Sequence, residues 1–338
     1  AAYFINKKII DDWARENGIR KGPGRGSAAG SLVCYQLEIT DVDPIVHGLL
    51  FERFLDEFRS WVEDVLNANT GEVEKITRGD WPDIDSDYQD DRRGEVKAFA
   101  KRHFGNTSNI MTFTYLEGKN ILNDAAKVLC VPLAQTRQVS RLLEDWDDYL
   151  SSDAKEVVEY RRNHPDVARL GNLMRGRLRS VGMHAGGVVL SSEPLSDYAA
   201  VETASDPDDK SKGRVEVIAM DHDAAADLGL IKYDFLGLTA LTNIQHTLDH
   251  IKARHGLDID LTTINYEDAG VYASVNRRST LGLFQLEGSA FTRILDKMPI
   301  EEFNDLVTGT SLIRPGAADS SFGARFLKAR NGAPWKPY

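Results

Sequence analysis

Pro82-Asp83-Ile84-Asp85-Ser86-Asp87-Tyr88 carries an acid at every second position. A strand turns successive side chains to opposite faces. Read as a strand, DIDSDY puts Asp83, Asp85 and Asp87 on one face, with Ile84 and Tyr88 on the other. Like charges on neighbouring same-face positions destabilise a strand, so a positive partner is expected. Mg²⁺ suits the role, being a hard ion that takes carboxylate and phosphate oxygens. An acidic turn is the plainer alternative for D-x-D taken alone.

A second run, Leu230-Ile231-Lys232-Tyr233-Asp234-Phe235-Leu236, alternates in the same way. Lys232 and Asp234 share one face, and Ile231, Tyr233 and Phe235 the other. Two charges inside an apolar strand are costly unless used or paired. An ion pair at a sheet edge is the alternative. Together the two runs offer three carboxylates and a lysine, a set able to hold two metal ions roughly 3.5–4 Å apart and a triphosphate.

The third element is the glycine loop Gly22-Pro23-Gly24-Arg25-Gly26-Ser27, followed by AAGSLVCYQL as a helix start. Gly24-x-Gly26-x-x-Ala29 has the outline of a dinucleotide fingerprint, but no apolar strand precedes it. No Gly-Lys-Ser/Thr follows, so it is not a Walker loop. A glycine loop feeding a helix N-terminus, with Arg25 and Ser27 projecting, favours phosphate. A structural turn is the competing reading.

Working outward, residues 2–17 place Phe4, Ile5, Ile9 and Trp13 at helical spacing, with Gly18 at the stop. Residues 48–66 read as a helix, 67–81 as a polar hairpin or exposed insertion, and RRGEVKAFAKRHF as a helix. Residues 114–184 read as mostly helical, broken near Pro132 and Pro165. Strands are expected at about 85, 111, 188, 217 and 232, with 202–214 as a solvated hairpin tip and helices from Thr239 on. The sum is an α+β sheet domain interrupted by a helical insertion.

The chain has 338 residues, enough for two or more compact units, with 42% hydrophobic and 28% charged side chains. No run of 18 apolar residues is present, and no basic-then-apolar leader opens the chain. The first residue is Ala1 and the last stretch has no helix stop, so the chain reads as cut from a longer one. Cys34 and Cys130 have no metal-ligand spacing, and each is expected to be a buried, inert thiol in a reducing compartment. Net charge is −11, which argues against nucleic acid if only the sum is counted. Distribution matters more: residues 161–179 hold six arginines against one acid, and KAFAKRH at 97–103 is also basic.

The ordered set GPGRGSAAGSLV, ITDVDP, LLFERFL, PDIDSDYQDDRR, HAGGVV, LGLIKYDFLGLTALT, LFQLEGSAFTRIL and RPG resembles the α subunit of bacterial DNA polymerase III, the C-family replicative polymerases. The resemblance runs from about Tyr3 to about Gly316. It implies a polymerase-β-like nucleotidyltransferase palm, a mixed sheet with helices, interrupted by a helical thumb and followed by the helical start of the fingers. The implied boundaries are palm at 1–112 and 185–238, thumb at 113–184, and fingers from 239 to 338.

The resemblance also assigns roles. Asp85, Asp87 and Asp234 are the implied catalytic carboxylates and ligands of two Mg²⁺ ions, with Mn²⁺ as a substitute, and Asp83 supports the site. Arg25, Gly26, Ser27 and Lys232 are the implied triphosphate ligands, joined by Lys119 and Arg314. Arg169, Arg175, Arg177 and Arg179 would track the DNA backbone. His184, in HAGG, reads as a packed or hydrogen-bonded histidine rather than a general acid.

The implied reaction is template-directed transfer of a nucleotide from dNTP to a primer 3′-hydroxyl, with release of pyrophosphate. The implied partners are primer-template DNA and, through regions outside this chain, the sliding clamp and clamp loader. The implied setting is cytoplasmic, in a bacterium or a phage-infected host. A template-independent nucleotidyltransferase and an inactive DNA-binding replisome scaffold are the alternatives. Departures include a longer segment at 57–80, Ser86 in place of an apolar residue, Ala219 in place of glutamine and Gly288 in place of serine. Such drift suits a divergent member, such as a phage-encoded one, and none of it removes a carboxylate.

Overall fold

The computed structural model describes residues 2–56, 60–66, 73–79, 82–206, 213–314, 317 and 321–334. The chain divides into two units, Ala1–Gln245 and His246–Tyr338. The first is built on a six-stranded sheet whose strands are β3 (Ser86–Gln89), β4 (Thr107–Tyr115), β5 (Leu178–Leu190), β6 (Val201–Ser205), β7 (Arg214–Ile218) and β8 (Ile231–Leu238). Their spatial order is β3-β8-β5-β4-β7-β6. β3 runs parallel to β8 and β4 parallel to β7, while the other pairs are antiparallel, so the sheet is mixed.

Helices α1 (Ala2–Glu16) and α3 (Arg93–Phe104) share one apolar core with this sheet. Tyr88, Tyr233, Phe235 and Val188 contribute from the strands, and Ile10, Ala14, Val96 and Ala100 from the helices. Val189 and Ile110 pack instead with Met220 and with Ala225 of α9 (His222–Asp227). The buried stripe of α1 is Tyr3, Lys7, Ile10, Asp11 and Ala14. This differs in part from the stripe expected at Phe4, Ile5, Ile9 and Trp13: Phe4 and Trp13 pack half-buried against the same core, but Ile5 is exposed, while Lys7 and Asp11 are buried. Pairing of the two inward charges with each other lets this polar stripe face the core.

A helical insertion joins β4 to β5. It comprises α4 (Lys119–Val128), α5 (Leu133–Ser140), α6 (Trp146–Ser151), α7 (Lys155–Asn163) and α8 (Pro165–Met174). They enclose a separate core that includes Ile121, Leu122, Val139, Trp146, Tyr149, Tyr160 and Val167. Gly171 is required there, because a Cβ would lie 2.2 Å from the Trp146 ring. The helical expectation for 114–184 overreached at the end, since β5 begins at Leu178. There Met111–Tyr115 and Leu178–Met183 pair as an antiparallel ribbon.

All five expected strands are present. The helix expected at 48–66 is not. Among the described residues of that stretch, Phe51–Arg53 form a 3₁₀ turn and Ser60–Leu66 form β1, paired antiparallel with β2 (Val73–Gly79). Trp61, Val62 and Val65 favour a strand, and pairing with β2 outweighs the helical spacing. The 67–72 part of the expected hairpin and the 207–212 tip lie outside the described residues. α2 (Leu32–Gln36) follows the glycine loop.

α10 (Thr239–His255) leaves the first unit. The second holds α11 (Ala269–Asn276), α12 (Ser289–Leu295), α13 (Phe303–Leu312) and α14 (Ser321–Arg330). They pack around Tyr272, Val275, Phe291, Leu295, Met298 and Leu312, in line with the helical expectation from Thr239. Cys34 is buried as expected, but Cys130 is exposed, at a left-handed turn after α4 (φ 55°). No helix among the described residues is long and apolar enough to cross a membrane.

Candidate active site

β3 and β8 are hydrogen-bonded neighbours, with Ser86 opposite Phe235 and Asp87 opposite Leu236. The strand proper starts one residue later than Asp85, so Asp85 enters it from the preceding segment. Ile84 (1% exposed), Tyr88, Tyr233 and Phe235 (each 0%) face the core, and Asp85, Asp87, Lys232 and Asp234 are partly exposed. Alternation read from the sequence therefore holds in both strands. Parallel pairing brings acids about 150 residues apart in sequence to one sheet edge.

The carboxylates lean on cations. Arg25 Nη1 lies 3.1 Å from Asp87 Oδ1, and its Nε lies 3.7 Å from Asp85 Oδ2. Lys232 Nζ lies 2.9 Å from Asp234 Oδ2. The other oxygen, Asp234 Oδ1, is buried and has no hydrogen-bond partner among the described residues. Burial, the nearby Asp234 and the nearby Asp83 push the Asp85 carboxyl above its usual range, against Arg25 and Lys232. Among the described residues no three acidic, histidine or cysteine side chains stand close enough together to hold one metal ion. In this conformation Arg25 and Lys232 take up the negative charge.

The glycine loop reaches this edge through backbone pairing. Gly22 N–H donates to Asp87 O (2.8 Å), Gln89 N–H to Arg20 O (2.8 Å), and Lys21 bridges Tyr88. The segment before the loop thus acts as a short extra strand beside β3. Gly26 takes a left-handed φ of 60° and opens a 3₁₀ turn, Gly26–Gly30, with Arg25 extended just before it. Ser27 is partly exposed in the first turn. Gly30 lies against the Leu50 carbonyl, which a Cβ would meet at 2.8 Å.

His184 is tied into the opposite neighbour of β8. Its Nδ1 accepts from the N–H groups of Gly186 (3.2 Å) and Gly187 (2.5 Å). Asp234 Oδ1 is 3.9 Å from the same nitrogen. An Nδ1 that accepts two N–H bonds carries no proton, so the contact with Asp234 is not an ion pair. Burial also lowers the His184 pKa. The two glycines of HAGG permit the close approach: a Cβ at Gly186 would meet Phe235 O at 3.0 Å, and one at Gly187 would meet His184 Nδ1 at 2.7 Å. The sequence places Gly186 and Gly187 in a strand without assigning them a role; paired glycines inside a strand were the available signal.

The remaining expected residues lie elsewhere. Lys119 is the exposed first residue of α4, in the helical insertion. Arg314 is exposed in the second unit, just beyond α13, and Pro315 and Gly316 lie outside the described residues. In the arginine-rich stretch, Arg175 makes a two-pronged pair with Asp147 (both 2.7 Å). Arg179 pairs with Asp124 (2.6 Å) and Arg169 with Asp166 (3.2 Å), while Arg177 donates to Leu173 O (2.8 Å). Arg161 is structural, binding the carbonyls of Tyr149, Leu150 and Ser152.

The family model of the bacterial DNA polymerase III alpha NTPase domain matches residues 1–66 and 75–237. The model of the bacterial DNA polymerase III alpha subunit finger domain matches 240–337. The chain belongs to the bacterial DNA polymerase III α-subunit family. The DNA polymerase III subunit alpha of Mycobacterium tuberculosis is 36% identical over 93% of this chain. Those of Bacillus subtilis (34% over 94%) and Aquifex aeolicus (30% over 98%) are similar too. The chain spans only about a quarter of these α subunits, 26% to 29% of their length. The NTPase-domain match is interrupted at 67–74, inside the 57–80 stretch that reads as longer than usual.

Proposed function

We propose that this α-subunit chain forms the nucleotidyl-transfer site of a template-directed DNA polymerase. In this reading 1–112 with 185–238 is the palm, 113–184 the thumb, and 239–338 the start of the fingers. One observation carries the reading: Asp87 of β3 and Asp234 of β8 stand on one face of adjacent parallel strands, with Asp85 at the entry to β3 and Arg25 beside both Asp85 and Asp87. Such a pair beside a glycine loop has no structural use that a neutral pair would not serve better.

The residues fit Mg²⁺. The donors are carboxylate oxygens, the hard ligands it takes. Asp234 Oδ1 is a buried acceptor in want of a partner. A pre-formed three-ligand cage is not needed, because Mg²⁺ keeps waters and binds through one or two carboxylates plus substrate phosphates. Asp85, Asp87 and Asp234 would hold it. When bound, it would supply Lewis-acid stabilisation of the charge that builds on the reacting phosphoryl oxygens.

The chain's own groups do the rest. Arg25 and Lys232, which hold carboxylates in this conformation, would exchange them for the triphosphate. The N–H groups that open the Gly26–Gly30 turn and the Ser27 hydroxyl would bind phosphate oxygens. Lys119 and Arg314 would add positive charge from the thumb and fingers. Arg169, Arg175, Arg177 and Arg179 would track duplex backbone without reading sequence. The sliding clamp and clamp loader would bind outside this chain.

Primer extension by the full-length protein tests the reading. Asp87→Asn is expected to abolish incorporation, roughly a thousandfold loss or more, with primer-template affinity within about twofold. Template-dependent incorporation by the parent and its loss in the variant support the reading. Extension without a template, or a variant that extends at the parent rate, overturns it.

A further inference from the structure

We infer that helix α1 is a positioning clamp for the carboxylates: Tyr3, Lys7 and Asp11 fix, from behind, the residue next to each of Asp85, Asp87 and Asp234. The inference rests on the polymerase reading and adds residues to it that lie on the far side of the sheet from the chemistry.

The connections are polar, buried and specific. Tyr3 Oη donates to Pro82 O (2.9 Å) and accepts from Ile84 N–H (3.0 Å), which grips the chain immediately before Asp85. Tyr88 follows Asp87, and its hydroxyl donates to Asp11 Oδ1 (2.5 Å) while accepting from Lys7 Nζ (3.0 Å). Lys7 Nζ also donates to Asp11 Oδ1 (2.5 Å). Tyr233 precedes Asp234, and its hydroxyl donates to Tyr3 O (3.0 Å). Each carboxylate therefore has a sequence neighbour tied to one helix.

Stability alone does not explain these groups. Lys7 and Tyr88 are 0% exposed and Asp11 is 1% exposed. A buried ion pair usually loses more hydration than it regains, and apolar side chains of like volume hold a core as well or better. Asp11 Oδ2 even goes without a hydrogen bond among the described residues. What the network does supply is direction. Beyond the backbone ladder that pairs β3 with β8, these hydrogen bonds set the positions of Ile84, Tyr88 and Tyr233, and with them the carboxylates alongside. Rotation of β3 or β8 would swing their front-facing carboxylates apart. Displacements of about 1 Å at a reacting centre can cost on the order of a hundredfold in rate.

The test compares the full-length parent with Tyr88→Phe and with the apolar triple Lys7→Met, Asp11→Leu, Tyr88→Phe. Thermal unfolding, kcat, KM for dNTP and Mn²⁺ affinity by calorimetry are measured on each. The triple is expected to melt at or above the parent temperature. Its kcat is expected to fall roughly tenfold or more, with Mn²⁺ binding weakened several-fold and KM for dNTP little changed. Parent-like kcat and Mn²⁺ affinity in the triple overturn the clamp, whatever its melting temperature. Should the triple not fold, Tyr88→Phe decides by the same two readouts. A parent that does not extend primers overturns the polymerase reading and the clamp with it; an active parent with an unaffected triple removes the clamp alone.

Discussion

Lys232 and Asp234 stand two residues apart on one face of β8, with the ammonium 2.9 Å from Oδ2 while the buried Oδ1 goes without a hydrogen bond among the described residues. The pair is self-neutralising at one oxygen and open at the other. That division suits a lysine that can leave for a phosphate and a carboxylate that can turn to a cation.

Lys232→Met should separate those roles. Loss of the cation removes a phosphate ligand and leaves Asp234 more negative. KM for dNTP is expected to rise about tenfold or more, as for a missing charge-assisted hydrogen bond, while the Mg²⁺ concentration for half-maximal rate stays level or falls. Steady-state kinetics with both ligands varied checks this. An unchanged KM for dNTP would remove Lys232 from the phosphate site.

Much of this site was readable before any coordinates. Period-two alternation assigned the faces of β3 and β8, because Ile84 and Tyr88 on one and Tyr233 and Phe235 on the other turn inward and leave the acids only one side. The ordered motifs supplied the family. Three things were not readable. The burial of Lys7 and Asp11 left no sign in the sequence, since nothing local tells a buried pair from an exposed i, i+4 pair. The 48–66 stretch carries both helical and strand spacing, and its partner β2, seven residues past β1, decided between them. The pairing of the basic stretch with Asp124 and Asp147 was likewise hidden, because those acids lie 55 and 28 residues away from Arg179 and Arg175.

HAGG gives a second prediction. Gly187→Ala would press its methyl on His184 Nδ1, at 2.7 Å, and His184 would lose its two backbone bonds. Denaturant unfolding should report a loss of about 1–3 kcal/mol. In a His184→Ala background the same substitution should cost clearly less, because the clash is gone. Equal costs in both backgrounds would mean that the imidazole does not set the need for glycine.

The helical insertion offers a contrast between two neighbours of Trp146. Tyr149 is buried, and its hydroxyl finds no hydrogen bond among the described residues. Tyr149→Phe should therefore be neutral or stabilising by up to about 1 kcal/mol. Gly171→Ala should instead destabilise by about 3 kcal/mol or more, because the indole at 2.2 Å cannot move aside in a packed core. Chemical unfolding of both variants checks this. A destabilised Tyr149→Phe would mean that the hydroxyl has a partner.

Arg175 and Arg179 must give up Asp147 and Asp124 to reach phosphate. Exposed pairs of this kind are screened by solvent and weak, so the exchange is cheap. Arg175→Glu with Arg179→Glu should weaken primer-template binding and reduce its salt slope by about 1 for each phosphate no longer neutralised. Asp147→Asn should tighten binding by freeing Arg175. Fluorescence titrations over a range of salt concentrations read both effects. Unchanged affinity in the double Glu variant would remove this surface from the DNA path.

The adjacency of β3 and β8 is tested most directly by a double-mutant cycle on single-turnover incorporation in the full-length protein, using Asp85→Asn, Asp234→Asn and both together. Groups that act as one unit are strongly non-additive. Each single variant should lose roughly a thousandfold, and the double should be scarcely worse than either. A single variant with near-parent rate, or losses that simply multiply in the double, would contradict a shared site.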